Sequence, residues 1–263
     1  MSGLRDKLWL WGHEAGSHNG RFGLSGTSRI TPVEAALYLG VHNLVMVTFA
    51  DRPYPPYDQH LTAMRPLHKI VWSIVGDSSS RRHDQQSDLE TVIALAPRFR
   101  NLVGGIMDDF FVPPGSSKGA ARYSVAEVRR FRETLHSAAR PLELWVVLYA
   151  HQLTWPVREH LAECDVVTFW TWEAKDLAAL EDNFRSFEAL APAQRKLLGC
   201  YMWDYGAGRR MPLELFQRQC QTGRRWLDEG RVDGLILLAS NLCDQEVETV
   251  EWARKWIASA GRS

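Results

Sequence analysis

Apolar residues are concentrated in eight short runs along the chain, and polar segments separate the runs. Each run is nearly continuous rather than alternating, which is typical of strands buried on both faces of a parallel sheet. The eight predicted strands are Leu8–Trp11, Leu44–Phe49, Ile70–Val75, Leu102–Met107, Leu144–Tyr149, Val166–Trp170, Leu197–Trp203 and Gly234–Ala239.

Helical patterns lie between the runs, and two of them begin with clear start signals. Thr31-Pro32-Val33-Glu34 combines a capping box with proline at the first helical position, and Ser124-Val125-Ala126-Glu127 is a second capping box, whose helix we expect to reach about His136. Other predicted helices are Leu89–Ala96, Leu177–Phe187, Leu213–Leu227 and Val247–Ile257, with a small helix between Trp155 and Glu163.

Strands that alternate with helices indicate βα units, and eight such units predict a closed barrel. A chain of 263 residues matches the roughly 250 residues that a barrel of this class needs. We therefore predict an α/β fold, a single (β/α)8 TIM barrel that spans residues 1–263. The alternative is a doubly wound open sheet, but Gly206-Ala207-Gly208 carries only part of a phosphate-binding glycine pattern.

Charge and composition narrow the range of partners. The chain has 31 Lys and Arg against 31 Asp and Glu, and a net charge of zero argues against a nucleic-acid binder. No apolar run approaches the ~20 residues of a membrane span. Residues 1–7 carry no apolar signal region, and the four cysteines lack metal-type spacing. We expect a cytoplasmic protein without cofactor or metal; the oligomeric state stays open.

The residues that follow the eight strands are candidates for chemistry, because active sites of such barrels lie at the carboxyl ends of the strands. They are rich in carboxylates and aromatic rings and poor in Lys and Arg. This combination favours a neutral carbohydrate over a phosphorylated substrate, which would require cationic groups. The candidate substrate-binding residues are His13, Glu14, Tyr149, His151, Trp170, Trp172, Glu173, Trp203, Asp204, Tyr205 and Asn241.

Several of these candidates also have a structural interpretation. Asn241 and Glu173 stand near predicted helix starts, where such side chains cap a helix or interact favourably with its dipole. Asp77 precedes three serines and is typical of a turn residue. His13 is equally consistent with a surface loop. The 11 tryptophans either fill the core or form stacking platforms for sugar rings.

The adjacent pair Asp108–Asp109 is the strongest candidate for catalysis. It directly follows the apolar run Leu102–Met107, and burying charge near a barrel core is costly unless the charge is partnered or used. Neighbours on a strand point to opposite faces, so a bulge or turn is needed for both side chains to reach one pocket. Like charges at such close range can raise one pKa and keep that carboxyl protonated as a general acid.

Three segments resemble glycoside hydrolase family 84, the O-GlcNAcase-like β-N-acetylhexosaminidases. They are Gly-Ile-Met-Asp-Asp-Phe (105–110), Thr-Phe-Trp-Thr-Trp (168–172) and Tyr-Met-Trp-Asp-Tyr (201–205). The resemblance implies that Asp108 orients the substrate's 2-acetamido group, whose carbonyl oxygen attacks the anomeric carbon, and that Asp109 is the general acid and base. Further contacts to the sugar are implied for Asp204, for Trp172 or Trp203, and for Tyr149.

The chain departs from the family pattern in three places. Trp172 stands where the sixth-strand motif has glycine, Tyr205 where the seventh-strand motif has asparagine, and the glycine-aromatic signature after the first strand is missing. Two other functions therefore stay open. One is a metal-dependent sugar isomerase or hydrolase with ligands among His13, Glu14, Asp108, His151, Glu173 and Asp204. The other is a sugar-binding barrel without turnover.

Overall fold

A computed structural model describes residues 3–82, 87–116 and 119–260. Eight parallel strands close into one barrel, in which each strand pairs with its neighbours along the chain and the last pairs with the first. The strands are β1 (Leu8–Gly12), β2 (Asn43–Met46), β3 (Lys69–Val75), β4 (Leu102–Met107), β5 (Glu143–Tyr149), β6 (Val166–Trp170), β7 (Arg195–Tyr201) and β8 (Gly234–Leu238). The predicted (β/α)8 TIM barrel is confirmed.

Helices connect the strands, as the capping signals predict. They are α1 (Leu4–Lys7), α2 (Pro32–Leu39), α3 (Asp58–Ala63), α4 (Leu89–Leu95), α5 (Val125–His136), α6 (Arg158–Ala162), α7 (Leu180–Leu190), α8 (Leu213–Asp228) and α9 (Glu248–Ala260). Both capping boxes form, at Thr31 with Glu34 and at Ser124 with Glu127. The helix predicted from Leu177 is instead a 3₁₀ segment, Ala174–Ala179, followed by α7.

Two strands end at least two residues earlier than the apolar runs suggest. The second ends at Met46 rather than Phe49, and the seventh at Tyr201 rather than Trp203. After the seventh strand the chain forms a two-stranded antiparallel hairpin, Trp203–Asp204 with Arg209–Arg210. The extra apolar residues therefore belong to the loops above the barrel, where they cover the carboxyl ends of the strands.

Four tryptophans fill the inside of the barrel. Trp9 on β1 and Trp145 on β5 pack edge to face at 4.9 Å between ring centroids, and these strands lie on opposite sides of the barrel. Trp11 and Trp170 pack in the same way at 5.0 Å. Residues two apart on a strand share a face, so the pair formed by Trp11 and Trp170 is the layer nearer the carboxyl ends.

Gly199 on β7 makes room for the Trp170 ring. A Cβ atom at position 199 would lie 2.0 Å from a ring carbon of Trp170, a distance that side-chain carbons do not tolerate. The Trp170 ring is 1% exposed, and its Nε1 donates to Thr168 Oγ1 at 2.8 Å. The ring position thus depends on a glycine of the neighbouring strand.

The four cysteines are free and buried. In the described part of the chain no helix combines the length and apolar character needed to cross a membrane.

Candidate active site

A cavity of about 590 Å³ opens among the loops at the carboxyl ends of the strands. Trp11, Val147, Trp170 and Leu238 line its inner end, and each of them is buried. The barrel is packed below them by Trp9 and Trp145, so the cavity is closed on the side of the barrel interior. It is a pocket rather than a channel.

Asp108 and Asp109 both line this cavity, because the strand geometry ends just before them. β4 stops at Met107, and the Asp108 N–H donates to the Val75 carbonyl at 2.9 Å. Asp109 then adopts a left-handed backbone conformation with φ +40°. Asp and Asn tolerate this region better than most residues. The turn breaks the alternation of a strand, so two consecutive side chains reach the same pocket.

The Asp109 carboxylate is held by donors on both oxygens. The Tyr149 hydroxyl donates to Oδ1 at 2.9 Å, and the Ser78 backbone N–H donates to Oδ2 at 3.0 Å. The side chain is half-buried. An ionised carboxylate is an acceptor only, so this arrangement suits an anion.

Asp108 lies in a more enclosed environment and is 5% exposed. Its Oδ1 accepts the Asp109 N–H at 2.9 Å. Burial raises the pKa of the Asp108 carboxyl well above its usual range, and the negative charges of Asp109 and Asp77 raise it further. The Asp109 N–H and the Arg122 guanidinium act in the opposite direction, with smaller effect. The Asp108 carboxyl therefore holds a proton more readily than an ordinary aspartic acid does.

Asp77, a third carboxylate in the lining, organises the loop after β3. Its oxygens accept from the Ala50 N–H at 3.1 Å and from the hydroxyls of Ser79 and Ser80 at 2.6 and 2.7 Å. It is the turn residue that the sequence suggests, and it also contributes charge to the pocket. Arg122 fixes the same loop by donating to the Gly76 carbonyl at 2.6 Å.

Two tyrosines lie beside the aspartates. Burial raises the pKa of both Tyr149 and Tyr201 well above the usual range, and the charge of Asp109 adds to the effect. Both phenols therefore keep their protons at neutral pH, and the Tyr149 hydroxyl donates to Asp109.

Two buried histidines form another part of the lining. The rings of His13 and His18 lie 4.4 Å apart between centroids, and both contact Phe49. Burial lowers the pKa of His13 to about 3 and that of His18 to about 2. His13 is thus not a surface residue. Both rings are neutral in the ordinary pH range and extend the aromatic surface of the pocket.

The structure brings most of the predicted site residues together. The predicted residues that line the cavity are His13, Asp108, Asp109, Tyr149, His151, Trp170, Trp172 and Tyr205.

Five predicted residues do not line the cavity. Glu14 pairs with Arg52 at 3.8 Å, and Glu173 pairs with Lys175 at 2.6 Å. The other three hold loops or lie beneath them. Trp203 Nε1 donates to the Phe22 carbonyl at 2.9 Å. Asp204 is 1% exposed, and its oxygens accept from the backbone N–H groups of Ala174 and Ala207 and from the Arg209 guanidinium. Asn241 is fully buried.

Several lining residues were missed by the sequence analysis. Tyr201 ends β7 and Trp11 is one residue from the end of β1, so their position could have indicated them. Phe22, Phe49 and Trp155 lie in loops that fold back over the barrel, and no local pattern marks them. The further lining residues outside the prediction are His18, Asp77, Ser78, Phe111, Val112, Pro113, Arg122, Val147, Gln152 and Leu238.

No family model matches the chain, and no curated protein matches its sequence. Solved structures share its fold. A glycoside hydrolase family 17 β-1,3-glucanosyltransferase from Rhizomucor miehei aligns with TM-score 0.54 and 8% identity over 88% of this chain and 86% of that one. A β-D-glucuronidase of Dictyoglomus thermophilum aligns with TM-score 0.56 and 11% identity over 95% of this chain and 50% of that one.

A tryptophan synthase α-subunit variant from Pyrococcus furiosus aligns comparably, with TM-score 0.54 and 11% identity over the whole of both chains. Identities this low show the barrel fold alone, since proteins with different chemistry share it. Family 84 is not among the glycosidases just described, and the resemblance to it stays a prediction.

Proposed function

We propose that this protein is a glycoside hydrolase that acts on a neutral or N-acetylated sugar through Asp108 and Asp109, without a metal ion. One observation carries the proposal: two consecutive carboxyl groups enter the same aromatic-lined pocket in different electrostatic environments. Glycosidases of most families need one carboxyl that carries a proton and one that is ionised.

The two environments support a division of roles. Asp108 is buried and has the raised pKa, so it is suited to protonate the leaving oxygen. Asp109 accepts two hydrogen bonds, and its carboxylate would stabilise the positive charge that develops at the anomeric carbon. On an N-acetylated sugar the same carboxylate would accept the acetamido N–H. This division is the reverse of the one that the family-84 resemblance implies.

The rest of the lining supports a neutral sugar. More than half of the residues that line the cavity are Trp, Tyr, Phe or His. Aromatic faces pack well against the C–H faces of a pyranose. Arg122 is the one Lys or Arg in the described lining, and it donates to the carbonyls of Gly76 and Ser80. A phosphate or carboxylate on the substrate would find little positive charge.

The test compares leaving groups in Asp108→Asn and Asp109→Asn. Asparagine has nearly the same shape, and it tolerates the left-handed backbone at position 109. The substrates are the 2,4-dinitrophenyl and methyl β-glycosides of glucose and N-acetylglucosamine. A dinitrophenolate leaves without protonation, whereas a methoxide does not. We expect Asp108→Asn to retain most dinitrophenyl hydrolysis and lose methyl glycoside hydrolysis, and Asp109→Asn to lose both by roughly 10²-fold or more.

The possible results separate the alternatives. Unchanged turnover in Asp109→Asn would remove that residue from catalysis. Selective loss of the methyl glycoside in Asp109→Asn, rather than in Asp108→Asn, would overturn the division of roles and favour the family-84 assignment. Sugar binding by the wild-type protein without turnover of any glycoside in a wider panel would favour a non-catalytic sugar-binding barrel. Circular dichroism of each variant checks that the fold survives.

A further inference from the structure

The closed inner end of the cavity sets the direction in which a substrate lies. Trp11 and Trp170, 3% and 1% exposed, lie at that end above the barrel core. A sugar bound against them has no exit through the barrel. Whatever is attached to that sugar must therefore extend past the aspartates toward the mouth.

A row of rings leads from Asp109 toward the mouth. The Tyr149 hydroxyl binds Asp109, and the Tyr149 ring is parallel to the His151 ring, with 5.5 Å between centroids and an interplanar angle of 11°. His151 in turn contacts Trp155 edge to face at 5.5 Å. His151 is exposed and Trp155 is half-buried, and both line the cavity. The row thus continues the aromatic wall beyond the proposed point of cleavage.

A second wall also begins at Asp109. Phe111 is buried, Val112 is half-buried and Pro113 is exposed, and all three line the cavity. This segment is ordered by backbone pairing, since Phe111 forms a β-bridge with Ala121 and the Val112 N–H donates to the Ala120 carbonyl at 3.0 Å. The outer part of the pocket is therefore bounded by two defined surfaces.

The chemistry of the outer part is neutral. Val112, Pro113 and Trp155 carry no charge. Partial desolvation lowers the pKa of His151 below its usual value, although the charges of Asp109 and Asp176 act in the opposite direction, so its imidazole is neutral at pH 7. The Gln152 side chain is already engaged, because its Oε1 accepts the Tyr149 N–H at 2.9 Å. Indole and imidazole faces suit the C–H face of a pyranose, and an imidazole nitrogen can bind one of its hydroxyls.

We propose that the Val112–Pro113 segment, His151 and Trp155 form a second subsite that binds the neutral pyranose ring of the leaving group. The substrate would then be a sugar linked to another sugar and cleaved at the end of a chain, with the terminal residue in the deep part of the pocket. This inference rests on the proposed function for its orientation, but the subsite itself predicts binding that does not depend on turnover.

The experiment is a calorimetric titration in which the dissociation constants for monosaccharide and disaccharide are compared. The probe pairs are N-acetylglucosamine with N,N′-diacetylchitobiose, and glucose with cellobiose. We expect the wild-type protein to bind one disaccharide roughly tenfold more tightly than its monosaccharide, and Trp155→Ala to abolish this difference. His151→Ala, at an exposed position, is expected to reduce it and serves if Trp155→Ala fails to fold.

Trp256→Ala is the matched control, because Trp256 stacks on Trp252 on α9 and does not line the cavity. We expect this control to keep the wild-type ratio of the two dissociation constants. Equal affinity for monosaccharide and disaccharide in the wild-type protein, or a ratio that survives both Trp155→Ala and His151→Ala, overturns the subsite. A normal ratio without hydrolysis of these disaccharides or of any glycoside in the wider panel would reject the proposed function but support the subsite.

Discussion

His13 and His18 connect the site to the stability of the protein. Both side chains are less than 5% exposed, and their pKa values of about 3 and about 2 lie below the ordinary value of 6.5. Between pH 6.5 and these values the unfolded chain binds protons that the folded chain does not. Unfolding is therefore favoured as the pH falls through this window, by at most about 1.4 kcal/mol per pH unit for each histidine.

Replacing His18 by Phe should make the protein more resistant to acid. Phenylalanine keeps a ring against Phe22, Phe49 and Tyr205 but binds no proton. We expect the free energy of unfolding to fall less between pH 7 and pH 5 in the variant than in the wild-type protein. Urea titrations at the two pH values measure this difference. The control is His68→Phe, at an exposed position, and equal pH dependence in all three proteins would contradict the prediction.

At the residue scale, the sequence predicts chemical type better than orientation. Asp108 and Asp109 are recognisable because two charges follow a buried strand. Their convergence depends on the left-handed backbone at Asp109, which the residue type permits but does not require. Asp204 illustrates the opposite case. It follows a strand and has a carboxylate that could bind a substrate, yet that carboxylate accepts hydrogen bonds from backbone N–H groups of the adjoining loops.

At the scale of single elements, β6 and β7 together determine the floor of the pocket. The Trp170 ring lies directly over Gly199, and its position is also set by contacts with Trp11 and Tyr201. Buried interiors are tightly packed, so an added methyl group at this contact has no free space. Gly199 of β7 thus determines where the Trp170 ring of β6 can lie.

Replacing Gly199 by Ala should destabilise the protein and disturb ligand binding at the same time. The new methyl group would force the Trp170 ring to move, and overpacking of this kind costs about 1–3 kcal/mol. We expect a lower urea midpoint and weaker sugar binding. Gly3→Ala is the control, because a Cβ atom there meets nothing within 4 Å. A variant with wild-type stability and affinity would show that the floor can rearrange freely.

Elements with strong local signals are the ones that the sequence predicts well. Both capping boxes mark the starts of α2 and α5, and the eight apolar runs mark the strands. The short helix α3 carries no side-chain cap and escapes detection. The ends of strands are predicted less well than their centres. Phe49 and Trp203 continue the apolar runs, but their side chains pack among the loops.

For the whole molecule, eight repeated βα units were enough to predict the barrel and the end at which its pocket opens. They were not enough to predict the pocket's full lining. Phe22 comes from the loop after β1 and meets Phe49 from the loop after β2 and Tyr205 from the loop after β7. Such contacts join residues far apart in the chain, so no local pattern encodes them.

The proposed metal-free mechanism predicts that chelation has no effect. Among the described residues, no group of three or more His, Cys, Asp or Glu side chains is arranged to hold a metal ion, and the candidate ligands Glu14, Glu173 and Asp204 have other partners. We expect dialysis against EDTA to leave both the unfolding midpoint and glycoside hydrolysis unchanged. Loss of activity that is restored by a divalent cation would favour the metal-dependent alternative.

The paired indoles at the bottom of the pocket also give the protein a built-in optical signal. Trp11 and Trp170 are packed edge to face in a rigid, chiral arrangement, and they are part of the cavity wall. A ligand that reaches them changes the polarity around two of the 11 indoles in the chain. Occupancy of the pocket can therefore be followed through emission wavelength and near-ultraviolet dichroism, with no label and no chromogenic substrate.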